Sequence, residues 1–148
     1  MSSPHRIIVG TEYSGAEVLK NLLTLTDGYE LIFAQDAADL LKAAHSKRPD
    51  LIVCDIVFDE SAVFRVIRAV REDQDLQDIP FICTRIQGSR MPESLVSSFE
   101  LLFKQLSGCT YIDLCALQMT GEVDKFVALV KASIQRADTD NKATKLLH

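Results

Sequence analysis

The sequence is poor in the features that mark disordered, membrane-spanning and nucleic-acid-binding proteins. With only 6 glycines and 4 prolines in 148 residues, and with 47% hydrophobic residues, it is not a disordered or low-complexity chain. No run approaches the roughly 20 apolar residues of a membrane span, and the first residues contain too few apolar side chains for a signal peptide. The net charge of −5 argues against binding to nucleic acid or an anionic membrane, because such binding needs clustered lysine and arginine.

The cysteines and histidines show no metal-binding pattern. The four cysteines, at positions 54, 83, 109 and 115, include no C-x-x-C pair, and the three histidines are far apart in sequence. Structural zinc sites usually show paired ligand spacing. Cys54 and Cys83 lie in apolar runs, where a thiol behaves as a small hydrophobic side chain. We therefore expect a cytoplasmic protein with reduced thiols.

What the sequence does contain is an alternation of short apolar runs with amphipathic stretches. The apolar runs predict strands over residues 6–10, 29–34, 51–54, 80–83 and 111–114. The amphipathic stretches predict helices over about 14–27, 36–48, 62–72, 92–106 and 121–137. Parallel strands need crossovers that cover the sheet, so this order predicts an α/β fold with a doubly wound, five-stranded parallel sheet in a three-layer sandwich. The domain is predicted over residues 5–137, and the polar tail 138–148 is expected to fray.

Asp55 is the strongest candidate for a functional side chain. It comes directly after the continuous apolar run 51–54, which is typical of a strand covered on both faces. In doubly wound folds, function gathers at the carboxyl ends of the strands, near the point where the strand order reverses. Asp55 either caps the next loop or helix, or acts as a carboxylate nucleophile or metal ligand.

Several segments resemble the receiver domains of two-component response regulators. Arg48-Pro49-Asp50-Leu51-Ile52-Val53-Cys54-Asp55 resembles the third strand of that family, and Arg6-Ile7-Ile8-Val9 resembles the first. Residues 63–71 resemble the third helix, and residues 78–82 resemble the entry to the fourth strand. The resemblance covers about residues 5–136. It implies a stand-alone, flavodoxin-like signalling module of a phosphorelay, with no enzymatic activity beyond phosphorylation and dephosphorylation of its own aspartate.

The resemblance assigns the phosphoacceptor and metal roles to particular residues. In the family, the aspartate that ends strand three accepts a phosphoryl group from a histidine kinase, and this position falls on Asp55. The acidic pair after strand one, which holds magnesium, falls on Thr11 and Glu12, so one carboxylate is lost. The resemblance thus implies at most a weakened Mg²⁺ site formed by Glu12 and Asp55.

The phosphoryl-binding positions depart further from the family pattern. The hydroxyl residue that ends strand four falls on Arg85, with Thr84 one residue early. The lysine that ends strand five falls on Leu114 or Cys115, while Lys104 lies in the predicted helix 92–106. A missing ammonium removes a charge-assisted contact worth about 1.5–3 kcal/mol. We therefore expect slow or absent phosphotransfer.

Two functions remain open at this point. The first is a degenerate receiver, or pseudo-receiver, that signals through protein–protein contact; in it, Arg85 either pairs permanently with Asp55 or points to solvent. The second is a working phosphoacceptor that uses Mg²⁺ on Glu12 and Asp55 and the hydroxyl of Thr84. Nucleotide binding is disfavoured, because residues 10–15 contain neither G-x-G-x-x-G nor Gly-Lys-Ser/Thr.

The expected partners are a histidine kinase or another signalling protein, with neither nucleic acid nor membrane. A homodimer is also considered, through the surface formed by helix 92–106, the fifth strand and the last helix. Helix 92–106 carries a full apolar stripe: Leu95, Val96, Phe99, Leu102, Phe103 and Leu106. Most of the stripe is expected to pack in the core, whereas Leu95, Phe99 or Leu102 is a candidate for a dimer face.

Overall fold

The computed structural model of the chain describes residues 4–86, 93–106 and 108–147. Its strands are β1 (Arg6–Gly10), β2 (Glu30–Ala34), β3 (Leu51–Asp55), β4 (Phe81–Thr84) and β5 (Cys109–Ile112). They form one sheet in the order β2-β1-β3-β4-β5, and every neighbouring pair is parallel. The predicted flavodoxin-like α/β fold is therefore confirmed.

Seven helices lie in the described residues: α1 (Tyr13–Asp27), α2 (Ala37–Lys47), α3 (Phe58–Ser61), α4 (Val63–Glu72), α5 (Glu93–Lys104), α6 (Leu114–Thr120) and α7 (Asp124–Leu147). Five of them correspond to the predicted helices, and the short helices α3 and α6 are additional. The predicted strand 111–114 extends too far, because Asp113 caps α6 by accepting a hydrogen bond from the amide of Ala116. Gly121, in the left-handed conformation, ends this helix.

The last helix is longer than predicted. It continues through Leu147, so the polar tail is helical where we expected it to fray. The segment after Ala137 contains neither glycine nor proline, and it includes two lysines, two leucines and one alanine, which have high helix propensity. Polarity alone was therefore a poor guide to where this helix ends.

The sheet separates two hydrophobic cores, because successive side chains of a strand point to opposite faces. One core contains Ile8 and Ile52 and is covered by α2, α4 and α5. The other contains Ile7 and is covered by α1 and α7. Cys54 and Cys83 are free, buried thiols in the first core, as their apolar runs predict. No helix in the described ranges has the length and apolar character needed to cross a bilayer.

The order of strands brings the predicted site residues together. Chain order reverses at β1, which pairs with both β2 and β3. Asp55 is the last residue of β3, while Thr11 and Glu12 directly follow β1. All three residues therefore lie at the carboxyl edge of the sheet, beside the reversal point.

Candidate functional site

Asp55 is a buried carboxylate at the carboxyl end of the central strand. Only 6% of the residue is exposed. Its Oδ2 accepts a hydrogen bond from the Thr11 hydroxyl at 3.3 Å, and its Oδ1 accepts one from the backbone amide of Val57 at 3.3 Å. Within the described part of the chain, no lysine or arginine forms an ion pair with Asp55. Among these residues, only neutral groups donate to the carboxylate.

The environment of Asp55 opposes its charge. Burial is the largest influence and, with the nearby charge of Glu12, raises the pKa of Asp55 from its usual value to about 6. The hydrogen bonds from Val57 and Thr11 act in the opposite direction. Asp55 is thus mostly ionised at pH 7, at a cost in free energy that a neighbouring cation would offset.

Close approach of α1 to the end of β1 positions the Thr11 hydroxyl. A Cβ atom on Gly15 would lie 2.2 Å from Thr11 Oγ1, a distance that two non-bonded atoms cannot adopt. Glycine at this position therefore lets the first turn of α1 pack directly over Thr11. This packing holds the hydroxyl toward Asp55.

The hydroxyl of Thr84 is engaged with the start of α6. Thr84 pairs in register with Asp55 across β3 and β4, so the two side chains lie on the same face of the sheet. Thr84 is fully buried, and its Oγ1 accepts a hydrogen bond from the backbone amide of Leu114 at 3.2 Å. The structure thus places Thr84, and not Arg85, on the face that carries the carboxylate.

Arg85 pairs with Asp113. Its Nε donates to Asp113 Oδ1 at 3.1 Å, and its Nη2 lies 2.8 Å from Asp113 Oδ2. Only 18% of the arginine side chain and 15% of the aspartate side chain are exposed. The hydrogen bond from Arg85 to this carboxylate raises the pKa of the guanidinium. The interpretation in which Arg85 pairs with Asp55 is therefore wrong, and so is the one in which it points to solvent.

An apolar residue stands where the receiver resemblance places a lysine. Leu114 is fully buried in the core beneath α1 and α7, and its amide binds Thr84. Cys115 is half-buried, and its backbone amide donates to the carbonyl of Arg85 at 2.7 Å. Lys104 is the exposed last residue of α5, as predicted. Asp113, the residue missed by the sequence reasoning, carries only a weak signal: an acidic side chain just before a short helical stretch.

The five-stranded parallel sheet with its covering helices has the fold of the response regulator receiver domains found among the similar solved structures. No protein-family profile matches the chain, and no curated protein matches its sequence. Solved structures do match. A protein of Chloroflexus aurantiacus J-10-fl assigned as a response regulator is 20% identical with a TM-score of 0.67, over 90% of this chain and 99% of its own.

Two further solved structures are similar over most of this chain. The signal receiver domain of a signal transduction histidine kinase from Syntrophus aciditrophicus is 24% identical with a TM-score of 0.58, over 87% of this chain and 93% of its own. A structure described as an adenylate cyclase from Rhodopirellula baltica is 17% identical with a TM-score of 0.71, over 98% of both chains. At these identities the likeness concerns the fold alone.

The side chains at this edge of the sheet are of the types that bind magnesium. Receiver domains typically bind Mg²⁺ at an acidic site, and Mg²⁺ prefers carboxylate oxygens, with water in its remaining positions. Asp55 and Glu12 can supply two carboxylates, while Thr11 supplies a neutral hydroxyl that already donates to Asp55. These residues would hold such an ion, and its positive charge would stabilise the buried carboxylate of Asp55.

Proposed function

We propose that this chain is a degenerate receiver module of two-component signal transduction, which acts through protein–protein contact and does not depend on phosphotransfer. One observation carries the proposal. At the phosphoacceptor position, the described residues hold Asp55 with a hydroxyl and an amide, while Leu114 or Cys115 occupies the place at which the receiver resemblance expects a lysine. In this proposal the protein is cytoplasmic and has no enzymatic activity of its own.

The charge balance supports this proposal. Phosphoryl transfer develops negative charge that a divalent ion and a fixed ammonium normally neutralise. Here Glu12 adds repulsion to a carboxylate whose pKa is already raised. Loss of one charge-assisted contact costs about 1.5–3 kcal/mol, which corresponds to one or two factors of ten in rate at about 1.4 kcal/mol each. The Mg²⁺ site, with one carboxylate fewer, is proposed to bind weakly.

The contacts around Thr84 support a surface held in one state. In receivers, movement of the strand-four hydroxyl toward the phosphoryl group shifts a surface that corresponds here to α5, β5 and α7. Movement of the Thr84 hydroxyl toward a group on Asp55 would break its bond to Leu114, and movement of the adjoining loop would separate Arg85 from Asp113. We infer that these contacts fix the surface without any modification of Asp55.

Exposed leucines on α5 mark the proposed contact surface. Leu101 is 63% exposed and Leu102 is 49% exposed. Phe99 instead stacks on Phe64, with ring centroids 5.1 Å apart, while the side chains of Leu95 and Val96 lie outside the described part. We propose a second copy of this chain as the occupant, because a two-fold axis would place the same leucines against each other. A histidine kinase or another signalling protein is the alternative occupant.

The alternative function is a working phosphoacceptor. Asp55 is mostly ionised at pH 7, Glu12 can share a metal with it, and Thr84 lies on the same face of the sheet. In this alternative, Asp55 attacks a phosphodonor while Mg²⁺ is bound. The alternative would make the activity of the module depend on the aspartate.

Incubation with Mg²⁺ and acetyl phosphate separates the two functions. The protein is treated beside a competent receiver as positive control, and the adduct is measured by intact mass spectrometry. We expect no adduct on this chain under conditions that label the control. A stoichiometric, Mg²⁺-dependent adduct that disappears in Asp55→Asn would overturn the proposal and establish the alternative.

Sedimentation of Leu101→Lys beside the unmodified chain tests the proposed dimer. An unmodified chain that stays monomeric at high concentration would contradict the dimer.

A further inference from the structure

Three metal-ligating side chains converge at the amino-terminal edge of the sheet, opposite Asp55. His45 lies in the last turn of α2, Asp73 follows the last residue of α4, and Asp75 lies in the next turn. One ligand atom from each residue lies within 4.8 Å of the other two. The His45 and Asp73 side chains are 47% and 29% exposed, so an ion can reach them from solvent.

We propose that His45, Asp73 and Asp75 bind a divalent cation of the zinc class. One imidazole nitrogen and two carboxylate oxygens suit a borderline ion such as Zn²⁺, which accepts three protein ligands and completes its coordination with water. Mg²⁺, which prefers oxygen ligands alone, suits this set poorly. The site is independent of the proposed receiver function and of the Asp55 edge.

The surrounding backbone favours a positive charge at this place. The carboxyl ends of α2 and α4 meet here, and a helix carries partial negative charge at that end. The Asp75 amide donates to Asp73 Oδ1 at 2.8 Å, which fixes the turn between the two carboxylates. A cavity beside the cluster is lined by the charged residues Arg48 and Asp50, along with His45 and Asp75. Arg48 opposes a cation, whereas Asp50 favours one.

The ion takes the place of the hydrogen on His45 Nε2. His45 Nε2 lies 2.7 Å from Asp73 Oδ2, a contact that requires hydrogen on the nitrogen. Coordination through Nε2 displaces that hydrogen: an imidazolium releases one proton to solvent, and a neutral ring carries its hydrogen on Nδ1 instead. The ion then joins α2 to the turn after α4 through bonds to both.

Competition between the full chain and a chromophoric zinc chelator tests the site. Cys115→Ser serves as the background in every protein, since a free, half-buried thiol is a competing zinc ligand. We expect one equivalent of Zn²⁺ in the background, and at least tenfold weaker binding in both His45→Ala and Asp75→Asn. Circular dichroism establishes that each variant is folded. Asp75→Asn keeps the pair between His45 and Asp73 and therefore tests the third ligand alone.

His5→Ala is the matched control. His5 also pairs with a single aspartate, with its Nδ1 3.3 Å from Asp50 Oδ2, but it is not part of a three-ligand group in the described residues. We expect this variant to bind Zn²⁺ as the background does. Equal loss of binding in the His5 and His45 variants, or binding by the background that is no tighter than that of His45→Ala, would mean an adventitious ion only and would overturn the proposal.

Discussion

Arg85 and Asp113 form a two-point ion pair at the same edge of the sheet as Asp55, although they lie 28 positions apart in the chain. Asp113 also caps α6 through the Ala116 amide. One carboxylate therefore ties the end of β4 to the start of α6, next to the bond between Thr84 and Leu114. The Arg85 guanidinium, which was a candidate partner for Asp55, binds Asp113 instead. In the described residues, Asp55 therefore has only neutral hydrogen-bond donors.

Removal of Arg85 is expected to destabilise the fold. Arg85→Ala leaves the largely buried Asp113 carboxylate without its cation, and we expect the free energy of unfolding to fall by about 1.5–3 kcal/mol. Urea denaturation at pH 7 measures the change. Lys125→Ala breaks the exposed Glu122–Lys125 pair and is the matched control, for which we expect almost no change. Equal effects of the two variants would contradict this account of the buried pair.

The raised pKa of Asp55 predicts a pH-dependent stability difference. Its pKa of about 6 in the folded state lies above the usual 3.8, so the folded protein binds this proton more tightly than the unfolded chain does. The resulting stabilisation is present below about pH 4 and is lost as the pH rises through 6. Asp55→Asn cannot titrate, so its stability relative to the unmodified chain should rise by about 2 kcal/mol between pH 4 and pH 7.5. Urea midpoints across this range measure the difference, and a constant difference would refute the shift.

The buried bond between Thr84 and Leu114 predicts a loss of stability in Thr84→Val. Valine has a similar shape but leaves the Leu114 amide without its acceptor, at a cost of about 1–3 kcal/mol. Thr84→Ser keeps the acceptor oxygen and should recover most of this loss. Thr110→Val, at an exposed position on β5, is the control and should change the free energy of unfolding little. A Thr84→Val protein as stable as the parent would show that the bond contributes nothing.

The close approach at Gly15 predicts coupling with Thr11. Gly15→Ala forces a methyl group against Thr11 Oγ1 and should lower the melting temperature, although alanine is the better helix former by about 1 kcal/mol. Thr11→Ala removes the clashing oxygen, so Gly15→Ala should cost much less in that background. A double-mutant cycle by thermal denaturation measures this coupling. Additive effects would contradict the contact.

Thr11→Ala also tests the hydrogen bond to Asp55. Because the Thr11 hydroxyl lowers the pKa of Asp55, its removal should raise that pKa above about 6. Carboxyl carbon shifts followed by NMR against pH measure the change. Ser14→Ala, at an exposed position in the first turn of α1, should leave the titration where it was.

Local patterns in the sequence determined the strand and helix alternation, the parallel sheet and the place of Asp55 at its carboxyl edge. These features follow from short-range periodicity and from the rule that parallel strands need crossovers. The resemblance to receiver domains, and not these patterns, places Leu114 or Cys115 at the lysine position. The extension of α7 past Ala137 was missed, since polar composition was weighed above helix propensity.

Only the tertiary structure decided which side chains meet. The pairing of Arg85 with Asp113 depends on how the loops after β4 and β5 pack, and no local periodicity encodes that contact. Likewise, His45 and Asp73 come together because α2 and α4 end at the same edge of the sheet. Contacts between residues distant in sequence are selected by burial and charge across the whole fold, which is why spacing along the chain predicted that Asp55 ends a central strand and did not predict its neighbours.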